Sequence, residues 1–264
     1  MTLLAIESAT DMVGVALVGG VGGPVERVHL GGRLHAELLA PAIEEVCALA
    51  GCTIGEITWV AVDVGPGLFT GLRVGVATAK ALAQGLGCRV LGVSSLDILA
   101  SAAVGQDDAE APRMVVPVVD ARRGEVFTAA YHFERPAEHA DVVDPASVRE
   151  DRLEPMSPGD LVDWLLDLSS DVGSVMVVGD GAVRYRRLLS VHPTLDLHMA
   201  DELSAPPPLA LARLATVRLS HGGAETLAPE DLVPDYRRHA DARINWEQRA
   251  PRITGAAPSD PTRS

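Results

Sequence analysis

The sequence predicts two related α/β lobes separated by a cleft, and three observations predict them. Trp59 to Ser95 contains a complete β–loop–α–β unit. Each half of the chain opens on a strand, a polar hairpin tip and a second strand. Both halves then add further strands and helices, the pattern of an internal duplication. The hairpin tips would face the cleft.

Taken in order, Leu3 to Ile6 is an apolar strand ending in the polar turn Glu7-Ser8-Ala9-Thr10-Asp11. Met12 to Val18 and, after a Gly- and Pro-containing turn, Val25 to Leu30 complete an antiparallel start. His35 to Ala50 repeats Leu38, Leu39, Ala42, Ile43, Val46 and Leu49 at helical spacing; Gly51 stops it, and Pro41, one or two turns in, either kinks it or marks its true first turn. His35 reads as a cap or a solvated side chain rather than a ligand. Trp59 to Val62 is a short apolar run bounded by Asp63 and the Gly65-Pro66-Gly67 turn, where Gly67 can take a positive φ. Thr70 would cap a helix from Gly71 to Gly85, and Val90 to Val93 restarts a strand parallel to the first.

Ser95 to Ala103 is a short helix, and the acidic stretch Gly105 to Pro112 is the best domain joint. Met114 to Val119 and Glu125 to Phe133 form the second hairpin, with Asp120, Arg122 and Arg123 at its tip. Glu134 to Gly159, rich in Pro, Glu and Asp, reads as extended or loop. Helices follow at Asp160 to Leu168, Val183 to Leu189 and Leu209 to Leu219, with a strand at Val175 to Val178. The expected division is an N-terminal lobe over 1–104, a C-terminal lobe over 113–245 and a disordered tail over 250–264.

The helix of the β–loop–α–β unit carries apolar atoms on nearly every side: Leu72, Val74, Val76, Ala77, Ala79, Ala81, Leu82, Ala83 and Leu86. A helix covering one sheet face should be amphipathic, so this one needs a second cover, from this chain or another.

Composition narrows the function. Aromatic residues make up only 3% of the chain, so the core is Ala, Val and Leu, and stacking platforms for bases are scarce. With 22 basic against 36 acidic residues, the net charge of −14 argues against gripping a nucleic-acid backbone unaided. The three cysteines, Cys47, Cys52 and Cys88, lack a zinc or disulfide-scaffold spacing and read as reduced, mostly buried thiols. No leader precedes the first strand and no apolar run reaches about 18 residues, so a soluble cytoplasmic protein is expected.

The segments LLAIESATDMVGVAL, HAELLAPAIEEV, VDVGPGLFTGLRVGVATAKALAQG, LGVSSLDILA and PVVDARRGEVFTAAY, in that order, resemble the TsaB (YeaZ-type) family of the bacterial tRNA threonylcarbamoyladenosine machinery. VVGDGAVRY and the PDYRR segment at Pro234 extend the likeness. Glu7 departs from the family, standing where an Asp is usual. The resemblance implies an actin/sugar-kinase/Hsp70-like (ASKHA) fold of two lobes with mixed sheets. In ATP-using members of that fold the hairpin tips hold phosphates and a metal. Here the corresponding, degenerate positions are Glu7, Ser8, Thr10, Asp11, Asp120 and Arg122.

TsaD, the catalytic relative, has a His-Met-Glu-Gly-His segment whose two histidines share a metal. Ser95 and Leu99 stand at those positions, so the resemblance implies no catalytic residues, metal or cofactor. It also implies docking to a TsaD-type subunit through the first lobe's helices, with Leu38, Leu39, Ala42, Val76, Ala79, Ala83 and Leu86 as interface positions. A TsaE-type ATPase would be a further partner, tRNA would be met only through the complex, and the isolated chain would form homodimers. An ATP-dependent phosphotransferase and a metallopeptidase of the same fold are the alternatives.

Overall fold

The structure, a computed structural model, describes residues 1–30, 34–104, 114–133, 144–145, 149–190, 192, 195–221 and 227–237. The predicted joint at Gly105 to Pro112, the tail and half of the Glu134 to Gly159 stretch lie outside the described residues.

Two five-stranded mixed sheets form the frame. The first has the order β3(Val25–Leu30), β2(Met12–Val18), β1(Leu3–Glu7), β4(Trp59–Gly65), β5(Arg89–Ser94). The second has the order β10(Leu197–Met199), β9(Val175–Val178), β6(Met114–Arg122), β7(Glu125–His132), β8(Arg149–Asp151). In each sheet the opening hairpin is antiparallel, a third strand (β3 or β8) adds antiparallel to its second strand, and two more (β4 and β5, or β9 and β10) join in parallel beside its first. The duplication read from the hairpins therefore extends to strand order. This is the two-lobed α/β arrangement of mixed sheets that the ASKHA resemblance implies.

Strand alternation makes each sheet two-faced. Leu4, Ile6, Val60 and Val62 pack under α1(His35–Ala50) and α2(Phe69–Leu86). Leu3, Ala5, Ala61, Leu91 and Val93 face the other way, onto α7(Pro208–Ser220) and Ile98 of α3(Ser95–Val104). The rest of α3 covers the second sheet: Leu96, Leu99 and Ala103 join Val115, Val119, Phe127 and Tyr131. The far face of that sheet carries α4(Pro158–Val172), with Leu161, Trp164 and Leu165, beside α5(Asp180–Arg184) and α6(Arg186–Leu189).

The lobes exchange covers. α3, which the sequence reading gives to the first lobe, packs chiefly on the second sheet. α7, given to the second, packs on the first sheet, and Leu227 and Leu232 join the core under α1 and α2. The predicted boundaries follow chain order, whereas burial follows whichever sheet face is bare.

Several local expectations change. The α2 helix begins at Phe69, with Leu68 at the cap position and no side-chain cap, so Thr70 lies inside the helix. Gly65 (φ 105°), not Gly67, is the positive-φ residue of the turn. Pro41 lies within an unbroken α1. His35 is neither a cap nor solvated: it is buried, and its Nε2 donates to the Thr10 carbonyl at 2.8 Å. Within the stretch read as extended or loop, β8 is extended, whereas Pro158 opens α4 two residues early behind a Ser157 cap.

The interface positions change most. Leu39 (2% exposed), Ala42, Val76 (4%), Ala79 and Ala83 are buried in the core between α1, α2 and the first sheet. Leu38 and Leu86 are partly buried against that same core. Five of the seven therefore face this chain's own sheet and cannot touch a partner, and Arg at Leu39 or Val76 would disrupt folding rather than docking. The second cover of α2 is in part the returning chain. Lys80 Nζ donates to the carbonyls of Glu230 (2.9 Å) and Leu232 (3.1 Å), and the Arg73 guanidinium lies 3.8 Å over the Phe69 ring with Tyr236 beside it.

Candidate functional site: the cleft between the hairpin tips

Parallel pairing of β1 with β4 brings Glu7 and Asp63 to the same end of the first sheet, where open α/β sheets place their ligand crevices. Both carboxyls are fully buried. Asp63 Oδ1 accepts from Ser95 Oγ (2.6 Å) and from the Gly65 amide (2.7 Å). Glu7 Oε1 accepts from the Ala9 amide (2.9 Å). Glu7 Oε2 and Asp63 Oδ2 have no other donor, although the two side chains hydrogen-bond to each other. Two carboxylates cannot make that bond without a proton. Burial, the Asp63 charge and the bond to Asp63 hold the Glu7 carboxyl well above its ordinary range. Burial raises Asp63 too, but bonds from Glu7, Ser95 and Gly65 oppose it. Both carboxyls are raised, so the pair holds one shared proton between them.

The rest of the first tip is held by α2. Ser8 Oγ donates to the Gly71 carbonyl at 2.9 Å, and the Leu68 amide donates to the Ala9 carbonyl at 2.6 Å. Approach this close needs glycine: a Cβ at Gly71 would collide with the Ser8 carbonyl, and one at Gly75 with Ser8 Oγ. Spacing in GLRVG was the available sequence signal for this contact, which the sequence reading missed. Thr10 is buried, its hydroxyl accepting from the Met12 amide. Of the predicted tip residues only Asp11 reaches the surface.

Asp11 meets the second tip. Arg122 Nη2 donates to Asp11 Oδ2 at 3.0 Å and Nη1 to Asp120 Oδ2 at 3.1 Å. Asp120 Oδ1 accepts from the Arg122 amide (3.0 Å), and Arg184 lies 3.3 Å from Asp120 Oδ2. Asp180, which lies in the VVGDGAVRY segment, accepts from the Asp120 amide at 2.8 Å; burial raises its pKa, with the Asp120 charge adding to the rise. Arg122 and Arg123 both take positive φ, 63° and 54°. Left-handed backbone at two consecutive non-glycine residues is a strained arrangement that surrounding contacts must hold. Here Arg122 pairs with Glu125 across the two-residue Arg123-Gly124 turn, which calls for positive φ, and the Arg122 amide is held by Asp120 Oδ1.

Of the predicted loop residues, Asp11, Arg122 and Asp120 meet between the tips, while Glu7, Ser8 and Thr10 stay buried in the first, and the set fits a metal–nucleotide poorly. Asp11 and Asp120 are tied to Arg122, Glu7 and Asp63 share a proton, and the Ser8 hydroxyl is committed to α2. Ser95 donates its hydroxyl to Asp63, while Leu99 is fully buried in the second sheet's core. Among the described residues, no group of three or more His, Cys, Asp or Glu side chains is placed to hold a metal ion.

A model of the TsaD family, tRNA N6-adenosine threonylcarbamoyltransferase, matches residues 29–169, more than half of the chain. The chain belongs to this family. Within it, the chain is of TsaB/YeaZ type. It is 28% identical over 250 residues to the Bacillus subtilis tRNA threonylcarbamoyladenosine biosynthesis protein TsaB, covering 93% of this chain and 98% of that one. The Escherichia coli protein of the same name is 34% identical over 131 residues, 50% of this chain and 55% of its own length. A crystal structure from Pseudomonas aeruginosa, described as similar to peptidase YEAZ, superposes with a TM-score of 0.71 at 26% identity, covering 90% of this chain and 99% of that one. No helix among the described residues is long and apolar enough to cross a membrane.

Proposed function

We propose that this chain is a non-catalytic subunit of tRNA N6-threonylcarbamoyladenosine formation, supporting a TsaD-type transferase. The observation that carries the non-catalytic reading is the Arg122 bridge between Asp11 and Asp120. In this reading a protein cation, already neutralised, stands where the fold resemblance would put phosphate and metal. The full-length match to a protein named for this pathway supports the pathway.

Docking is assigned to the outer ridge of the helices named at the outset, using other positions. On α2, Ala77, Ala81 and Gly85 are exposed at one-turn spacing; on α1, Ala36 and Ala40 are exposed one turn apart, and Ala48 and Leu49 two turns further on. Small side chains in such rows let a second helix pair approach closely, with Leu38 and Leu86 at the margin. In this reading the isolated chain self-associates through the ridge, a TsaE-type ATPase joins the assembly, and tRNA is met only through the complex. The net charge of −14 supports that last point.

Co-expression with a TsaD-type subunit tests the reading. Ala81→Arg and Ala77→Arg should abolish co-purification and shift the isolated chain to monomer, with unchanged circular dichroism. Retained pairing in both variants refutes the ridge. The competing phosphotransferase reading requires ATP turnover by the purified chain that Asp120→Ala abolishes.

A further inference from the structure

The α1 helix ends on a left-handed Gly51 (φ 66°), its amide donating to the Ala48 carbonyl at 3.2 Å. The next amide, of Cys52, donates to the Cys47 carbonyl at 3.0 Å. That pair of bonds is a Schellman termination, in which the side chains of the residues at the positions of Cys47 and Cys52 fold toward each other. The 3.0 Å bond also limits their α-carbons to a separation of about 7 Å or less, near or within the span of a disulfide. The two thiols lie within hydrogen-bonding reach of one another. Cys47 is buried in the core under α1, and Cys52 is half-buried at its edge.

We propose that Cys47 and Cys52 form a reversible thiol–disulfide site that closes with a low-molecular-weight disulfide as oxidant. The Cys52 thiolate attacks one sulfur of the oxidant, breaking its S–S bond and expelling one thiolate. The Cys47 thiol then gives up its proton, and its sulfur attacks the Cys52 sulfur of the mixed disulfide, expelling the second thiolate. Two protein thiols lose two electrons and two protons, and one oxidant disulfide is reduced to two thiols. The order of attack follows from access and charge: burial and the neighbouring Cys52 push Cys47 up to about 11, so it is the closing group rather than the entering one. Cys88 stands in the same position after α2, its amide donating to the Ala83 carbonyl at 3.1 Å. There the facing residue is an alanine, so Cys88 serves as an internal control.

The test incubates the folded chain with oxidised glutathione, then quenches, denatures and counts thiols. The expected count falls from three to one, with a mass loss of two hydrogens and the Cys47–Cys52 link within one tryptic peptide. Reduced glutathione should restore all three thiols. Cys88→Ser should still close the link, whereas Cys47→Ala, with circular dichroism confirming its fold, should stop at a glutathione adduct on Cys52. Three intact thiols, a lasting Cys52 adduct in the unsubstituted chain, or a link to Cys88 would each overturn the proposal.

Discussion

Glutamine at position 7 keeps the outline of the buried carboxyl and supplies permanently a hydrogen in place of the one the Glu7–Asp63 pair shares. Glu7→Gln should therefore leave stability at neutral pH within about 1 kcal/mol of the parent, because one donor to a charged acceptor replaces another. Glu7→Ala removes the donor, leaves the Asp63 charge without it and opens a small void, at a cost of about 3 kcal/mol. The pH dependence separates the two states of the pair. Glu7 binds its proton more tightly folded than unfolded, so its contribution is complete below the ordinary value of 4.5 and is lost as pH rises toward its raised folded value. Within that window the slope approaches about 1.4 kcal/mol per pH unit. Asp63 is shifted in the same direction and adds to the same trend. Urea unfolding at several pH values between about 4.5 and about 8, for the parent and both variants, measures all of this. Glu7→Gln should flatten the decline. If it proves as damaging as Glu7→Ala, or if the parent's stability rises with pH through this range, the shared proton is wrong.

A second buried network ties the lobes: Tyr131 Oη donates to Asp97 Oδ1 (2.7 Å), and Arg218 of α7 pairs with Asp97 (2.8 Å) and Asp144. Arg218→Ala should cost about 3 kcal/mol and Tyr131→Phe about 1 kcal/mol in urea unfolding, with a double-mutant cycle showing coupling through Asp97. Gly75→Ala drives a methyl into Ser8 Oγ and should lower the thermal midpoint, at a cost of about 1–3 kcal/mol. Asp11→Ala removes an exposed ion pair and should change stability by less than about 1 kcal/mol, read from the same melts.

Legibility in the sequence tracked the range of the interaction involved. Both opening hairpins, α1 with its Gly51 stop, and the β4–α2–β5 unit were readable because period and breaker residues act over a few positions. Thr70 was misread as a cap because Leu68 bonds to Ala9 across the tip and starts the helix early. The first tip looked like a set of free hydroxyls and carboxylates. Contact with α2, about sixty residues further on, consumes the Ser8 hydroxyl and hides Glu7.

By itself, then, the sequence determined the fold class, the duplicated hairpins, most helices and strands, and which residues belong to the tips. Those properties follow from local steric preference and from the two- and 3.6-residue periods. Only the tertiary structure decided that Leu39, Val76 and Ala79 face inward, that α3 and α7 exchange sheets, that Glu7 and Asp63 share a proton, and that Arg122 spans the cleft. Each of these depends on which distant surface is bare or which distant charge is near, and an apolar helix reads the same whichever surface covers it.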